Sequence, residues 1–368
     1  EVISLTVNFS ESVSLSTGSL VVTLETGDTD NTFTIPASDI ISSTTAVGTY
    51  TVNAGDVSSA LSISGIALSG GGSLTDAAGN VLTSFNVGTD LSGPHTLILE
   101  TTAPVIGSIT SNTSAGTYGI GSEIDVRLNI TNGTGGANET VTLSAGSVDI
   151  TLETGDNDGT ASNASISGVN TIPFTYTVEE DHTTSSLSVS SVAVTGGSVT
   201  DAAGNALSAA PSIPVGGNLN NATIFVIEAT RPTISAVTST TADGTYKVGD
   251  DINITMEFDE SVTLSGGTLD LTFDLVSTDQ SLNVSTFSNS NSTTATYTVQ
   301  ERDSGSSFFI GNIVLGSGAT LTDVVGIYSN AMTNFTPTTT LASAHAIAID
   351  GVLPTITSVT STTDDGSY

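Results

Sequence analysis

Residues 232–258 read PTISAVTSTTADGTYKVGDDINITMEF, and residues 104–130 read PVIGSITSNTSAGTYGIGSEIDVRLNI. The same opening starts a third time at residue 354, as PTITSVTSTTDDGSY, so the copies begin roughly 125 residues apart. Each complete copy ends in strict alternation, IDVRLNI or INITMEF, which places every apolar side chain on one face of a half-buried strand. ISLTVNF, at residues 3–9, is the same strand of an earlier copy.

Two further blocks recur in the same order. One is a strand with an acidic turn: LVVTLETGDTD from Leu20, VDITLETGDND from Val148 and LDLTFDLVSTD from Leu269. The other runs from TYTV (Tyr50, Tyr176, Tyr297) through an acidic loop and an alternating strand to LTDAAGN (Asp76), VTDAAGN (Asp201) and LTDVVGIYSN (Asp323). Clusters of Gly, Asn, Asp and Ser punctuate the strands, and no segment sustains a helical period. The expectation is an all-β chain of tandem immunoglobulin-like β-sandwich domains with about seven strands each. Its boundaries are 1–101 for a first repeat, 102–229 for a second, 230–351 for a third, and 352–368 for the first strand of a fourth.

Position 1 aligns with Asp250, so the first repeat lacks its opening strand. Two explanations stand: a frame cut from a longer array, or a last strand that completes the first sandwich of another copy. Glu1 already lies in an alternating segment with no signal peptide before it, which reads as a window on a longer secreted chain.

Composition narrows the function. Four Lys+Arg face 37 Asp+Glu, a formal net charge of −33, on a surface rich in Ser, Thr, Gly and Asn. Such a chain cannot neutralise phosphates, so nucleic acid and anionic membrane are poor partners and cations are good ones. No apolar run reaches the ~20 residues of a membrane span. Cysteine is absent, which removes disulfides, thiolate metal sites and cysteine nucleophiles. His95, His182 and His345 fall at different points of different repeats and read as surface residues, so neither a triad nor a zinc site is indicated. The chain reads as a non-enzyme. The TYTV tyrosines read as core residues or as a tyrosine corner.

The DGTY opening, the F-x-E-S-V strand end (Phe9 to Val13, Phe258 to Val262), TYTV and the (L/V)TDAAGN turn resemble the bacterial immunoglobulin-like domains found in tandem in very large secreted adhesins and cell-surface proteins. The second repeat departs by inserting TNGTGGA at residues 131–137, and the third by replacing AAGN with Val324-Val325-Gly326-Ile327. The resemblance implies an extracellular spacer, with ligand binding left to other domains, and many such repeats bind calcium.

A calcium argument also follows from the residues. In a seven-strand sandwich the loops after the second and sixth strands share the end where the linker enters, and those after the third and fifth share the other. Glu139, Glu260, Asp201 and Asp323 then lie at the entry end; Asp28, Asp30, Asp56, Asp156, Asp158 and Asp181 lie at the exit end; Glu100 and Glu228 lie in the linkers. Each junction is expected to gather acids from the exit loops of one repeat, the linker and the entry loops of the next. Ca²⁺, with six to eight oxygen ligands and tolerant geometry, suits such a set. The functional expectation is a spacer or fibre segment stiffened by calcium, with neighbouring repeats as partners. The alternatives are an adhesive module that grips a glycan or surface through an apical loop, and a subunit of a strand-exchanged filament.

Overall fold

The computed structural model describes residues 1–91, 96–276, 278–324 and 328–367, and the chain is all-β, built of small, mainly antiparallel sheets consistent with β-sandwich domains. His95, residues 325–327 of the third acidic turn and Tyr368 lie outside the described residues.

The alternation read from the sequence becomes burial. In the second repeat Glu123–Asn132 is the middle strand between Pro104–Thr110 and Thr171–Thr177. Its inward residues Ile124, Val126, Leu128 and Ile130 are all 0% exposed. Ser147–Glu153 lies between Gly159–Asn163 and Ser188–Thr195 and contributes Val148, Ile150 and Leu152 to the same hydrophobic cluster. The third repeat repeats the plan: Asp251–Ser265 lies between Ile234–Thr238 and Phe287–Thr298, and Leu269–Phe273 between Gln280–Val284 and Ile310–Leu315. In the first, Ser19–Leu24 lies between Asn31–Pro36 and Ile63–Ser69, while Val2–Leu15 pairs with Ser43–Thr51 and Leu74–Asp76. The buried apolar side chains form separate clusters within residues 5–99, 106–229 and 234–349.

Two four-residue helices, Leu219–Ala222 and Leu341–Ala344, were not anticipated, because four residues cannot display a helical period. The first is held by the Asn218 side chain, which accepts from the Leu219 N–H; the second has a capping box between Thr340 and Ser343. Each precedes the outgoing strand. Phe225–Glu228 runs parallel to Gly116–Tyr118 and antiparallel to Thr183–Thr184, and Ile347–Asp350 stands likewise between Gly244–Lys247 and Ser304–Gly305. These strands deliver Glu228 and Asp350 to the linkers.

Separate clusters imply separate losses. Leu128→Ala is expected to destabilise the second repeat by about 2–5 kcal/mol, while amide exchange in the first and third stays unchanged. A uniform loss of protection along the whole chain would instead mean a single cooperative unit.

Candidate functional site at the linkers

Each exit turn is built on a buried tyrosine. The Tyr50 hydroxyl donates to Asp56, and the Tyr297 hydroxyl donates to Asp303, six residues on in each case. In the second repeat the same place is taken by His182, whose Nδ1 lies 2.7 Å from the Tyr176 hydroxyl. The Glu179 N–H donates to that same nitrogen, which makes Nδ1 the acceptor for both groups. The three tyrosines are core residues, 1–5% exposed, and also anchors. His182 corrects the surface reading: it is 4% exposed. Burial pushes all three tyrosines up from the ordinary phenol value, aided at Tyr50 and Tyr297 by the carboxylate each one faces.

The residue before each anchor is left-handed: Gly55 (φ 95°), Asp181 (φ 67°) and Arg302 (φ 77°). Its N–H then points at the linker. Gly55 donates to the Thr101 hydroxyl, Asp181 to the Ala229 carbonyl and Arg302 to the Gly351 carbonyl, at 2.9–3.1 Å. The linker answers, with the Ala229 N–H donating to the His182 carbonyl and the Gly351 N–H to the Asp303 carbonyl. The tyrosine turn therefore clamps the residue immediately after each linker acid.

The linker acid meets the next repeat through one asparagine. Asn205 Nδ2 donates to the Glu100 carboxylate, to the Glu100 carbonyl at 3.2 Å and to Asp201 Oδ2 at 2.9 Å. Asn330 Nδ2 donates to Glu228 Oε2 at 2.9 Å, to the Glu228 carbonyl at 3.2 Å and to Asp323 Oδ2 at 2.7 Å. Its Oδ1 accepts from the Ile120 N–H of the preceding repeat at 2.8 Å. A Cβ added at Gly119 would stand 2.8 Å from that same oxygen, so a side chain there would displace the Asn330 amide. In the first repeat Asn80 holds Asp76 in the same way. Two more contacts close the second joint. Arg231 spans from Glu180 (2.9 Å) to the Ala331 carbonyl (2.7 Å), and the Tyr118 and Tyr328 rings lie 5.4 Å apart.

The sequence-derived acids thus divide. Of the linker and entry-end acids, Glu100 meets Asp201 through Asn205, and Glu228 meets Asp323 and Glu260. Burial pushes Glu228 and Asp323 up, with Asp323 adding to the rise at Glu228. Glu260 is pushed up to about 7 by burial and by the charges of Asp323, Glu228 and Asp259. Glu139 accepts from the Thr140 N–H at the entry end of the second repeat.

The exit-end acids do not join these groups. Asp56 is 3% exposed and accepts from Tyr50, the Asn53 N–H and Asn31 Nδ2. Asp30 accepts from Ser64, and Asp28, Asp156, Asp158 and the Asp181 side chain are exposed. Among the described residues no three His, Asp or Glu are grouped as a metal ion requires. Both Asp323 oxygens already accept from Asn330. As arranged, the acids do not form a calcium shell of six to eight oxygens.

Sequence reasoning passed over Asn205, Asn330 and His182. The signal for the asparagines was present: Asn80 and Asn205 both stand four residues after the turn Asp. Asn330 stands seven after Asp323, yet the same backbone bond closes all three turns, with the Asp N–H donating to the Asn carbonyl at 3.0–3.1 Å. The substituted third turn keeps its anchor. Of the insert at 131–137, Thr131 and Asn132 end the strand Glu123–Asn132, and the rest is a turn, exposed from Thr134 to Ala137, closed by the Asn132 N–H on the Ala137 carbonyl. His345 is half-buried between Thr238 (2.9 Å from Nε2) and Asp243.

No family model matches the chain, and no curated protein matches it. Among solved structures it is similar to Escherichia coli alpha-2-macroglobulin activated by porcine elastase, at 6% identity over 95% of this chain and 33% of that one, with a TM-score of 0.19. It is also similar to the S-layer protein rSbsC(31-844), at 14% identity over 95% of this chain and 53% of that one, with a TM-score of 0.14. The chain spans about one third and about half of these two proteins, and scores this low carry no argument.

The carboxylates of the second joint set a pH dependence. Glu260 holds its proton more tightly when folded (about 7) than at its ordinary 4.5. The stability this contributes is fully present below about 4.5 and is lost as pH rises through about 7. Asp76, Asp149 and Asp250 are held below the ordinary carboxylate value, so their contributions fall away only in stronger acid. The third repeat is expected to melt at progressively lower temperature from pH 5 to pH 8. Glu260→Gln should flatten that slope and raise the pH 8 melting temperature. Glu25→Gln, which removes the same charge from an exposed site, should leave the slope intact.

Proposed function

We propose that the chain is a structural, non-enzymatic segment of tandem immunoglobulin-like β-sandwich domains, working as an extracellular spacer or fibre of a larger surface protein. The observation that carries this reading is the repeated joint, in which one asparagine ties the linker glutamate of one repeat to the turn aspartate of the next. A linker between independent domains flexes by default. Here the linker is gripped on both sides, by the tyrosine turn behind it and the asparagine ahead of it, which suits a part whose work is to hold its neighbours at a set angle. The acidic, Ser/Thr-rich surface suits an extracellular setting and argues against nucleic acid as a partner.

Calcium belongs to this proposal in one limited form. At the Glu228–Glu260–Asp323 group a Ca²⁺ ion would share the carboxylate oxygens with the Asn330 amide, and both would offset their repulsion. The spacer reading stands without it.

The test is scattering on the intact chain. Asn330→Ala is expected to lower third-repeat stability by about 1–3 kcal/mol and to broaden the distribution of end-to-end distances, and Asn205→Ala should do the same at the first joint. Unchanged scattering in both variants would sink the rigid-spacer reading. Millimolar Ca²⁺ that raises the pH 8 melting temperature of the native chain, but not that of Glu260→Gln, would support the ion. No response to Ca²⁺ or to a chelator removes calcium and leaves the amide joint.

A further inference from the structure

Oxidation has few places to go in this chain. It holds no Cys and no Trp, and its two methionines, Met256 and Met332, are 1% and 3% exposed. That leaves the tyrosine phenols as the side chains from which an electron is most readily taken. Tyr50, Tyr176 and Tyr297 are buried anchors with hydroxyls committed to Asp56, His182 and Asp303. Among the described residues, Tyr118 and Tyr328 are the one pair of tyrosines whose rings meet. They meet across the second joint.

The pair is held from both sides. Tyr118 ends the strand Gly116–Tyr118 of the second repeat. Phe225 packs against its ring with centroids 5.9 Å apart, and its hydroxyl donates to the Ser114 carbonyl at 2.6 Å. Tyr328 belongs to the third repeat and is 37% exposed, against 6% for Tyr118. The two ring centroids are 5.4 Å apart and the planes 35° from parallel, within the range that aromatic pairs favour. Two residues beyond each ring the chains are tied together, by the Ile120 N–H donating to Asn330 Oδ1 at 2.8 Å. Burial, and after it the neighbouring Tyr328, push the Tyr118 phenol up, as expected of two hydroxyl ends in each other's field.

We propose that Tyr118 and Tyr328 are an oxidative cross-linking site that joins the second repeat to the third through a dityrosine bond. The oxidant is hydrogen peroxide, used by a haem peroxidase that removes one electron at a time. Tyr328, the exposed partner, loses an electron and its hydroxyl proton, and the vacancy passes to Tyr118 through the ring contact. A second oxidation of Tyr328 leaves a radical on each ring. The two couple through one carbon flanking each hydroxyl, and the hydrogens on those carbons move to the oxygens and restore both phenols. A carbon–carbon bond thus replaces two ring C–H bonds, while the two electrons and two protons released reduce one peroxide to two waters.

The use of this bond as a lock on the joint rests on the spacer reading above. Without cysteine no disulfide can tie one repeat to the next, and the phenol pair supplies a covalent tie in its place. A cross-link between residues so distant in sequence also removes much of the freedom of the unfolded chain, as a disulfide closing a long loop does. The DAAGN turn of the second repeat holds no tyrosine, so the first joint gains no such bond. Tyr246, whose hydroxyl donates to the Ala242 carbonyl as that of Tyr118 does to Ser114, serves as an internal control.

Treatment of the intact chain with a haem peroxidase and hydrogen peroxide, followed by isolation of the monomer, tests this. The expected monomer shows blue dityrosine fluorescence, a mass lower by two hydrogens, and one cross-linked peptide that contains both Tyr118 and Tyr328. Tyr328→Phe keeps a ring at a partly exposed site, so it should leave the melting curve unchanged and abolish all three signals. Tyr118→Phe should abolish them too, and Tyr246→Phe should leave them intact. Three results would overturn the proposal: a monomer without dityrosine, a monomer cross-link that survives in Tyr328→Phe, or coupling found only between separate chains. Failure of the spacer reading would show separately, as unchanged scattering of Asn330→Ala before any oxidant is added.

Discussion

Two carboxylates brought to within reach of one amide set the terms for this chain. A linker glutamate and a turn aspartate repel each other, and both lose hydration as the repeats close on them. Asn205 and Asn330 answer with two N–H groups shared among a carboxylate, a carbonyl and a second carboxylate. The orientation of Asn330 follows from its partners: Oδ1 faces the Ile120 N–H, so turning the amide over would set oxygen against carboxylates. Charge-assisted bonds of this kind are stronger than neutral ones. Burial, and after it the like charges of Asp323, Glu228 and Asp259, push Glu260 up.

The joint reaches back into the core. Tyr297 is packed among Phe273 and Phe308, and its hydroxyl fixes Asp303. Asp303 orders a turn with Arg302 in a left-handed conformation, and that turn grips Gly351, next to Asp350. The hydrophobic cluster therefore positions the outgoing acid through rigid short links. His182 shows what this position demands. It replaces an aspartate yet still accepts from the tyrosine and from the backbone, so the requirement is a buried acceptor at that point, not a charge.

Much of the architecture was legible because strand burial has a period of two and the repeat displays it three times. Ile124, Val126, Leu128 and Ile130 are inward as their alternation predicts. The meeting of Glu100 with Asp201, and of Glu228 with Asp323, follows from chain direction, which decides which loops share an end. The rest was hidden by tertiary context. Asp56 looked like a free loop acid because nothing local announces that a tyrosine six residues earlier will bury it. Asn330 was hidden by three inserted residues, which shift its spacing while the backbone bond from the Asp323 N–H keeps its place. Arg231 pairs with Glu180, beside Asp181, and so supplies a fixed cation near an exit turn where a diffusible one was expected.

The two joints differ in how they are reinforced, and the difference follows from single residues. Where the second joint has Arg231 before its proline, the first has Ala103, so no cation crosses there to the exit turn. The lengthened third turn also carries Tyr328 to the ring of Tyr118, while the shorter DAAGN turn of the second repeat has no aromatic residue to send back. With the ion pair and ring contact missing, the first joint leans more heavily on Asn205 and on the Thr101 hydroxyl, which takes the Gly55 N–H and donates to the Asp56 carbonyl. One sequence pattern thus produces two differently reinforced joints: the asparagine is common to both, and the ion pair and ring contact are found at the second.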